Sequence, residues 1–392
     1  MTDAELRVGL GLLSVYPSSN AGTTTYVRGV LRGLADDPSV RITAIANTEM
    51  AAACEDLTGP RFVVRDSRRF TRLERRMGRV AALSIASSSS IAANVWGEEI
   101  DVVHYPQSVR APRLRRPTVV TLHDVLHRDH PELFSAPVRA WRRLMYDESA
   151  RRADVVITDS EHAASRIEHH LGIDRSRIVV SHLGVDHQLF TPATAASDQQ
   201  TLRALGIAAP FLYYPASLAP HKNHATLLRA LQMLDGRHLV LTGPHSGRLA
   251  ELEAEAQARG VRDRVHHLGM VDTAVLPVLY RNAECLVFPS LYEGFGVPIV
   301  EAMACGCAIA CSNRGAPAEI AGGAAYPFDP ESPEAIAHAV RSLDDPELRS
   351  RLATLGVTRA EHFTWQEAAR HHLLAYRSAL AGAAGADDPA QT

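Results

Sequence analysis

The residues best suited to chemistry lie in the segment LYEGFGVPIVEAM, where Glu293 and Glu301 stand eight positions apart. A glycine-containing loop between them runs into Pro298, and proline in a first turn is a signal that a helix begins there. The backbone N–H groups of residues 294–299 would then point out of a helix N-terminus, which attracts phosphate groups. Because carboxylates accept hydrogen bonds from hydroxyl groups, the pattern predicts a site for a ligand rich in phosphates and hydroxyls. An early helical acid favoured by the helix dipole explains Glu301 equally well at this point.

Lys222 is the only lysine among the 41 basic residues of the chain. Such a bias is typical of a GC-rich genome, in which arginine codons displace lysine codons. An ammonium group is a compact, flexible point charge that a planar guanidinium does not simply replace. The single lysine is therefore consistent with a requirement for an ammonium group at this position.

Three of the five cysteines, Cys305, Cys307 and Cys311, are close enough in sequence to suggest a metal cluster. They lie in the apolar run ACGCAIACS, where cysteine acts as a small buried side chain. A zinc site needs a fourth ligand at a suitable spacing, and the sequence offers none. We therefore expect no metal, and the odd number of cysteines favours a reducing compartment.

The elements that must position these residues alternate between apolar strands and helices, in two successive series. Continuous apolar strands between helices predict an α/β fold with two doubly wound, Rossmann-like domains facing across a cleft. Such sheets bind ligands outside the carboxyl ends of their strands. The predicted strands are residues 8–17, 40–47, 101–106, 118–124, 153–160 and 177–186 in the first series, and 210–218, 237–243, 264–269, 284–290 and 307–312 in the second.

A polar stretch rich in threonine and alanine separates the two series. We predict an N-terminal domain of residues 1–188, a linker of residues 189–203 and a C-terminal domain of residues 204–364. Residues 365–382 are predicted to form a helix that crosses back to the N-terminal domain, and residues 383–392 a disordered tail.

Composition limits the classes of partner. A formal net charge of −3 gives no reason to expect nucleic acid. No run reaches the ~18 apolar residues of a membrane span, and acids precede the first apolar run, which argues against a signal peptide. We therefore expect a cytoplasmic protein. Residues 61–79 carry eight arginines against two acids, which predicts a solvated helix, an acceptor-binding patch or a peripheral contact with the inner face of the plasma membrane.

Five segments of the chain resemble one enzyme family. The spacing of Glu293 and Glu301 resembles the E-x7-E motif of the retaining GT-B glycosyltransferases of group 1 (glycosyltransferase family 4), and LVFPSLYEGFGVPIVEAMACG extends the match. The segments VVTLHDVLHRDHPELFS, VITDSEHAASRI, VVSHLGVDHQLFTP and YYPASLAPHKNHATLLRAL are similar to family segments and follow the family order. Together they span nearly the whole chain, with most similarity to the branch that contains many bacterial mannosyltransferases. The resemblance implies the GT-B architecture.

The resemblance also implies roles for matching residues of the second series. Glu301 would bind the ribose hydroxyls of a nucleotide, Glu293 would face the donor sugar, and Lys222 would neutralise the diphosphate as charge builds on the leaving group. The remaining matches are the loop whose backbone amides would meet sugar and phosphate, Gly294, Phe295, Gly296 and Val297, and the strand end near the base, Leu268 and Gly269.

Two positions depart from the family pattern. The family often has arginine immediately before the lysine, where this chain has His221, and commonly near position 217, where it has Ser217. We place both residues in the donor site. Their replacement implies that phosphate neutralisation rests more heavily on Lys222.

In the first series, His123 matches a family histidine near the donor sugar and the reaction centre, although a lone histidine is also often structural. Asp124 would either orient its ring or cap the turn. Gly22 matches the N-terminal glycine loop that lies against the donor phosphates and the acceptor. Thr23 stands where a second glycine is usual, and its hydroxyl could bond phosphate.

The resemblance implies a retaining hexosyltransferase that needs no cofactor or metal. Its donor would be a nucleotide sugar, with GDP-mannose as the first candidate, and its acceptor a hydroxyl of a lipid-linked sugar, a glycan or a secondary metabolite. Two alternatives stay open from the sequence. One is a sugar epimerase or phosphorylase on the same scaffold, and the other is a non-catalytic subunit that binds a nucleotide sugar.

Overall fold

The computed structural model describes residues 5–17, 21–35, 37–88, 100–207 and 210–386. The chain forms two compact units, one of Met1–Gly184 together with Trp365–Thr392, and one of Val185–Thr364. Among the described residues, no helix is long and apolar enough to cross a membrane.

The first unit contains a parallel sheet whose described strands are β1 (Leu6–Leu12), β2 (Val40–Ala46), β3 (Phe62–Asp66), β4 (Val102–Tyr105), β5 (Thr118–Thr121), β6 (Val155–Thr158) and β7 (Ile178–Val180). Their order is β3-β2-β1-β4-β5-β6-β7. The sequences VVHY, TVVT and VVIT of β4, β5 and β6 are entirely buried, as expected for strands covered on both faces. The direction of strand addition reverses between β1 and β4, and this switch point is where such sheets bind ligands.

The helices of this unit begin with α1 (Ala21–Ala35), α2 (Thr48–Ala53), α3 (Arg68–Met77) and α4 (Arg79–Ser88), and continue with α5 (Leu126–Asp129), α6 (Ala136–Arg142), α7 (Glu148–Arg151) and α8 (Glu161–Leu171). Helix α8 has clear end signals. The Ser160 hydroxyl accepts a hydrogen bond from the N–H of Ala163, and Gly172 ends the helix in the left-handed conformation, as N-cap serine and C-terminal glycine generally do.

The arginine-rich segment 61–79 is not a single helix, so that prediction was wrong. Its first part is the edge strand β3, which pairs with β2, and its second part is helix α3. The strand was missed because Phe62 is its only buried residue, and an edge strand that is mostly exposed carries little hydrophobic signal.

The second unit contains another parallel sheet, with strands β8 (Phe211–Pro215), β9 (His238–Thr242), β10 (Val265–His267), β11 (Cys285–Phe288), β12 (Ile309–Ser312) and β13 (Tyr326–Phe328) among the described residues. Their order is β10-β9-β8-β11-β12-β13. The switch point lies between β8 and β11, where the predicted donor residues follow the strands. Cys305, Cys307 and Cys311 are buried free thiols, as predicted from their apolar run.

The helices of this unit are α9 (Asp198–Ala204), α10 (His224–Gln232), α11 (Leu249–Ala258), α12 (Leu276–Asn282), α13 (Val297–Ala304), α14 (Gly315–Ala321), α15 (Pro333–Ser342) and α16 (Pro346–Ala360). Helix α9 begins inside the predicted linker 189–203 and ends one residue beyond it, so the linker prediction needs correction. The Asp198 carboxylate at the start of α9 pairs with Arg281 of α12 at 2.8 Å, and both side chains are buried. This ion pair fastens the segment to the second unit.

The last helix, α17 (Trp365–Ala386), belongs to the first unit and packs along α1. Gly29 and Gly33 of α1 permit this contact, because a Cβ at either position would collide with Trp365. The predicted tail 383–392 begins inside α17, and residues 387–392 lie outside the described residues.

Candidate functional site

Lys222 and Glu293 form an ion pair in the second unit. The Lys222 Nζ donates to both carboxylate oxygens of Glu293, at 2.7 and 2.9 Å. The two side chains are only 19% and 12% exposed. The lysine follows β8 and the glutamate follows β11, so two neighbouring strands bring together residues that are 71 positions apart in sequence.

The loops that carry this pair are bonded to each other. The N–H of Leu291 donates to the carbonyl of His221 at 2.8 Å. The Tyr214 hydroxyl donates to the Lys222 carbonyl at 2.9 Å and lies 2.8 Å from the Ser290 hydroxyl, which can donate back to it. The backbone at the ion pair is therefore fixed by hydrogen bonds that need no ligand.

Asn223 turns the chain from Lys222 into α10. Its φ of 61° lies in the left-handed region, which asparagine tolerates better than most residues. Its Nδ2 donates to the carbonyls of Pro289 and Pro330, at 3.1 and 2.7 Å. Asn223 thus sets both the direction of the lysine loop and its distance from the glutamate loop.

The loop from Gly294 to Val297 leads directly into α13. Gly296 is the N-cap with a φ of 107°, a conformation that strongly favours glycine. Val297 is the first helical residue, one position before the start signalled by Pro298. The Phe295 side chain is buried against Phe363, with ring centroids 5.8 Å apart. Phe295 therefore anchors the loop through its ring.

Glu301 lies in the second turn of α13 and is half-buried. The Tyr280 hydroxyl donates to its Oε2 at 2.7 Å. Burial raises the pKa of Glu301 to about 7, and the hydrogen bond from Tyr280 opposes part of that rise. The carboxyl group is therefore oriented by a neighbour and changes charge near neutral pH.

The other predicted donor residues follow strands of the same sheet. Ser217 comes two residues after β8, and Leu268 and Gly269 come directly after β10. The Gly269 carbonyl accepts a hydrogen bond from the N–H of Gly243 at 2.8 Å, which joins the ends of β10 and β9. Because all these strands are parallel, the donor residues lie along one edge of the second sheet.

In the first unit, His123 pairs with Asp159. The ring Nδ1 is 2.8 Å from a carboxylate oxygen of Asp159, which is only 4% exposed. Strands β5 and β6 pair with an offset of 36 residues, and the same offset separates His123 from Asp159. Among the residues that the structure describes, the buried Nε2 of the ring has no hydrogen-bond partner.

The charge balance around His123 favours its protonated form. Burial lowers the pKa of the ring, but the Asp159 carboxylate, with smaller contributions from Asp124 and the Pro106 carbonyl, holds it above its usual value. Asp124 itself accepts a hydrogen bond from the N–H of Leu126 at 2.8 Å. Of the two predicted roles of Asp124, the structure therefore shows the turn cap, while Asp159 orients the ring.

A buried chain of hydrogen bonds lies behind His123, whose ring meets the Tyr26 ring edge-on at 4.9 Å. Burial lowers the pKa of both histidines in the chain, that of His372 to about 4, so both rings are neutral. The successive hydrogen bonds of this chain, 2.7 to 2.9 Å long, join Tyr376, His104, Thr121, Tyr26, His372 and the carbonyl of Ala368.

Counting donors fixes the direction of every bond in this chain. The Ala368 carbonyl only accepts, so His372 carries its proton on Nδ1 and accepts from the Tyr26 hydroxyl at Nε2. Tyr26 must then accept from Thr121, and Thr121 from His104. His104 accepts from Tyr376 at its other nitrogen. The first unit therefore holds a satisfied, neutral network beside the His123–Asp159 pair.

Gly22 and Thr23 lie in the first turn of α1, so their placement in a glycine loop needs correction. The helix begins at Ala21, whereas the sequence predicted a turn through Gly22. In the described part of the chain, nothing lies within 4 Å of where a Gly22 Cβ would be, so no close approach there requires glycine.

Sequence reasoning missed four residues that organise these sites: Asp159, Tyr214, Asn223 and Tyr280. The register of two adjacent parallel strands would have signalled Asp159, because it follows the end of β6 as His123 follows the end of β5. The αL preference of asparagine after the lysine was a signal for Asn223. Tyr280 meets Glu301 only through tertiary packing, for which the sequence carries no local signal.

Two family models match the chain. One, described as Glycosyl transferases group 1, matches residues 203–356. The other, described as Glycosyltransferase Family 4, matches residues 21–189. The first match covers the sheet and the candidate residues of the second unit, and the second match covers β2 to β7 and the candidate residues of the first unit.

Two curated relatives and a solved structure agree with these matches. The O-antigen chain mannosyltransferase B of Escherichia coli is 30% identical over 283 residues, which are 70% of this chain and 74% of the relative. The MMP alpha-(1->4)-mannosyltransferase of Mycolicibacterium hassiacum is 31% identical over 303 residues, 72% of each. The crystal structure of Anabaena HepE with UDP and glucose has a TM-score of 0.73 and 21% identity, covering 95% of this chain and 100% of that one. The chain therefore belongs to the group 1 glycosyltransferases of glycosyltransferase family 4, and its two Rossmann-like domains have the GT-B fold.

Proposed function

We propose that this glycosyltransferase moves a hexose from a nucleotide sugar to an acceptor hydroxyl with retention of the anomeric configuration, and that mannose from GDP-mannose is the first candidate. The observation that carries the donor assignment is the edge of the second sheet, where Lys222, Glu293, Glu301 and the N-terminus of α13 occur together. Two curated mannosyltransferases among the relatives support the choice of mannose.

In the proposed reaction, Lys222 and the N-terminus of α13 hold the diphosphate and stabilise its charge as it leaves. Glu301 accepts the ribose hydroxyls and Glu293 faces the sugar. The bond from C1 to the phosphate oxygen breaks while the bond from C1 to the acceptor oxygen forms on the same face. The acceptor proton passes to the departing phosphate.

No metal or cofactor has a role in this proposal. The positive charge that a metal would bring to the diphosphate comes instead from the Lys222 ammonium group and the helix N-terminus. Transfer is expected to continue at an undiminished rate in EDTA. A loss of activity in EDTA that Mg²⁺ or Mn²⁺ restores would contradict this part of the proposal.

The acceptor is proposed to lie in an anionic membrane and to reach the first unit at its arginine-rich surface. A cavity of about 390 Å³ at the ends of β2 and β3 is lined by Thr48, Asp66, Arg68, Thr71, Arg72 and Arg75. Nearby in sequence, Met77 and Val80 are 51% and 56% exposed. Arginines beside exposed apolar side chains suit a lipid-linked acceptor in an anionic bilayer. Flotation with phosphatidylglycerol vesicles, but not with phosphatidylcholine vesicles, is expected, and R72E/R75E is expected to abolish it.

A donor panel tests the main proposal. The protein is incubated with GDP-mannose, UDP-glucose and UDP-N-acetylglucosamine, and mass spectrometry follows release of the nucleoside diphosphate. One donor is expected to be consumed and to raise the melting temperature, and E301A is expected to lose both effects. E284Q, which breaks the Arg237–Glu284 pair elsewhere in the second unit, is the matched control. The donor assignment fails if no nucleotide sugar is consumed or stabilises the protein.

A further inference from the structure

The charge at the Lys222–Glu293 pair is already balanced before any ligand binds. The ammonium group contacts both oxygens of the carboxylate, so Glu293 occupies the position that an anion would take on Lys222. The hydroxyls packed beside the pair, from Tyr214 and Ser290, are neutral. Burial and the nearby Glu293 carboxylate hold the pKa of Tyr214 well above its usual value.

A diphosphate that binds Lys222 must therefore share the ammonium group with Glu293 or displace it. A backbone hydrogen bond from the N–H of Leu291 to the carbonyl of His221 joins the two loops and holds Glu293 beside Lys222. Its carboxylate then stands close to the diphosphate in a part-buried place, where like charges repel more strongly than in water. Whether the displaced carboxylate finds a new hydrogen-bond partner then depends on the chemical groups of the bound ligand.

A donor that carries its sugar supplies that partner, because sugar hydroxyls donate to a carboxylate. A free nucleoside diphosphate supplies none and leaves the carboxylate facing phosphate. We propose that Glu293 is a specificity-determining residue that makes the site favour the sugar-bearing nucleotide over the free nucleoside diphosphate, and so helps the product to leave. This inference rests on the proposed function of the same site.

The test is isothermal titration calorimetry of wild type and E293Q with GDP, UDP and inorganic pyrophosphate. Glutamine keeps the shape of the side chain and removes its charge. E293Q is expected to bind the preferred nucleoside diphosphate about tenfold more tightly, which corresponds to about 1.4 kcal/mol. This gain is the opposite of the loss that a change in a binding-site residue ordinarily causes. Equal or weaker binding by E293Q would overturn the inference.

Two further variants separate this effect from general changes of charge. E284Q removes the carboxylate of the Arg237 pair in the same unit and is expected to leave the affinity for nucleoside diphosphates unchanged. E293D keeps the negative charge and is not expected to show the tenfold gain. If E293Q does not fold, E293A carries the same expectation as E293Q.

The pyrophosphate titration keeps the inference separate from the proposed function. If wild type binds neither GDP nor UDP but E293Q gains affinity for pyrophosphate, the donor assignment fails and competition between Glu293 and an anion stands. If wild type binds a nucleotide and E293Q gains nothing with any of the three ligands, the donor assignment stands and the inference fails.

Discussion

The carboxyl edges of the two sheets differ in how they are stabilised, although the order of strands around both switch points is the same. In the first unit, the His123–Asp159 pair stands in front of a neutral hydrogen-bond chain in which every donor has one acceptor. In the second unit, the Lys222–Glu293 pair is held by loops whose backbones bond to each other. The first arrangement orients a ring, whereas the second holds an ammonium group that an anionic ligand would have to share with Glu293 or take from it. Equivalent scaffolds therefore carry different chemistry because different side chains follow their strands.

The largest effect should come from removing the positive charge of the second edge. K222A is expected to lower kcat by about 10²–10³-fold, because the departing diphosphate loses its only lysine. The measurement is the rate of nucleoside diphosphate release with the preferred donor. R237A, which removes a cation paired with Glu284 in the same unit, should retain its rate if it stays folded. A K222A rate within threefold of wild type would remove the contrast between the two edges.

At the first edge, D159N should lower kcat by roughly 10–100-fold, because a positioned ring loses its orienting carboxylate. It should also lower the pKa of His123, since an opposite charge is lost. NMR titration of the histidine rings, with H123Q to assign the signal, measures this pKa. D147N breaks the buried His127–Asp147 pair of the same unit and should leave the His123 titration unchanged.

The His123–Asp159 pair should also make the unfolding free energy of the protein depend on pH in a defined direction. The folded pKa of His123 lies above its usual value, so the pair stabilises the protein fully below about pH 6.5. This contribution is lost as pH rises through the folded pKa. The difference in unfolding free energy between wild type and D159N should therefore narrow with rising pH. A difference that widens above pH 7 would show that Asp159 does not stabilise a charged ring.

Glu301 should also make the fold less stable as pH rises, because burial raises the folded pKa of this acid to about 7. The ionised carboxyl destabilises the fold above that pH, and protonation relieves the cost as pH falls towards its unfolded pKa. E301Q is expected to be more stable than wild type at pH 8, by about 1–2 kcal/mol, and by less at pH 5. Denaturant unfolding at both pH values measures this difference in unfolding free energy. Equal stability of E301Q and wild type at pH 8 would mean that the ionised carboxylate does not destabilise the fold.

The smallest effect concerns the neutral chain behind His123. Y376F removes the hydroxyl that donates to His104 and leaves a buried nitrogen without a donor, at an expected cost of about 1–2 kcal/mol. Y326F, which removes an exposed hydroxyl 3.3 Å from His338, should cost little. If the two variants lose equal stability, the direction assigned to the hydrogen bonds has no energetic consequence.

The sequence predicted the fold class because both sheets consist of continuous apolar strands, and it predicted Glu293, Glu301 and Lys222 because a family motif contains them. It missed β3, where a single buried Phe62 gives no periodic pattern. It extended β1 to residue 17, since Leu13 and Val15 are buried in the loop that follows the strand.

The partners of the predicted residues were harder to find than the residues themselves. Asp159 follows from strand register, which a sequence read alone does not supply. Tyr280 comes from a neighbouring helix and reaches Glu301 only after the second unit has folded. Sequence motifs indicate the side chains expected to contact a ligand, whereas the groups that position those side chains become apparent only from the tertiary contacts.

The return of α17 to the first unit has a consequence for synthesis. His372 and Tyr376 complete a hydrogen-bond chain whose other side chains, Tyr26, Thr121 and His104, are made hundreds of residues earlier. Until the C-terminal helix has been synthesised, these three groups lack His372 and Tyr376 as hydrogen-bond partners, and Gly29 and Gly33 lack their contact with Trp365. The second unit is continuous in sequence and can fold while the first waits. The part of the protein that is translated first is therefore the part that finishes folding last.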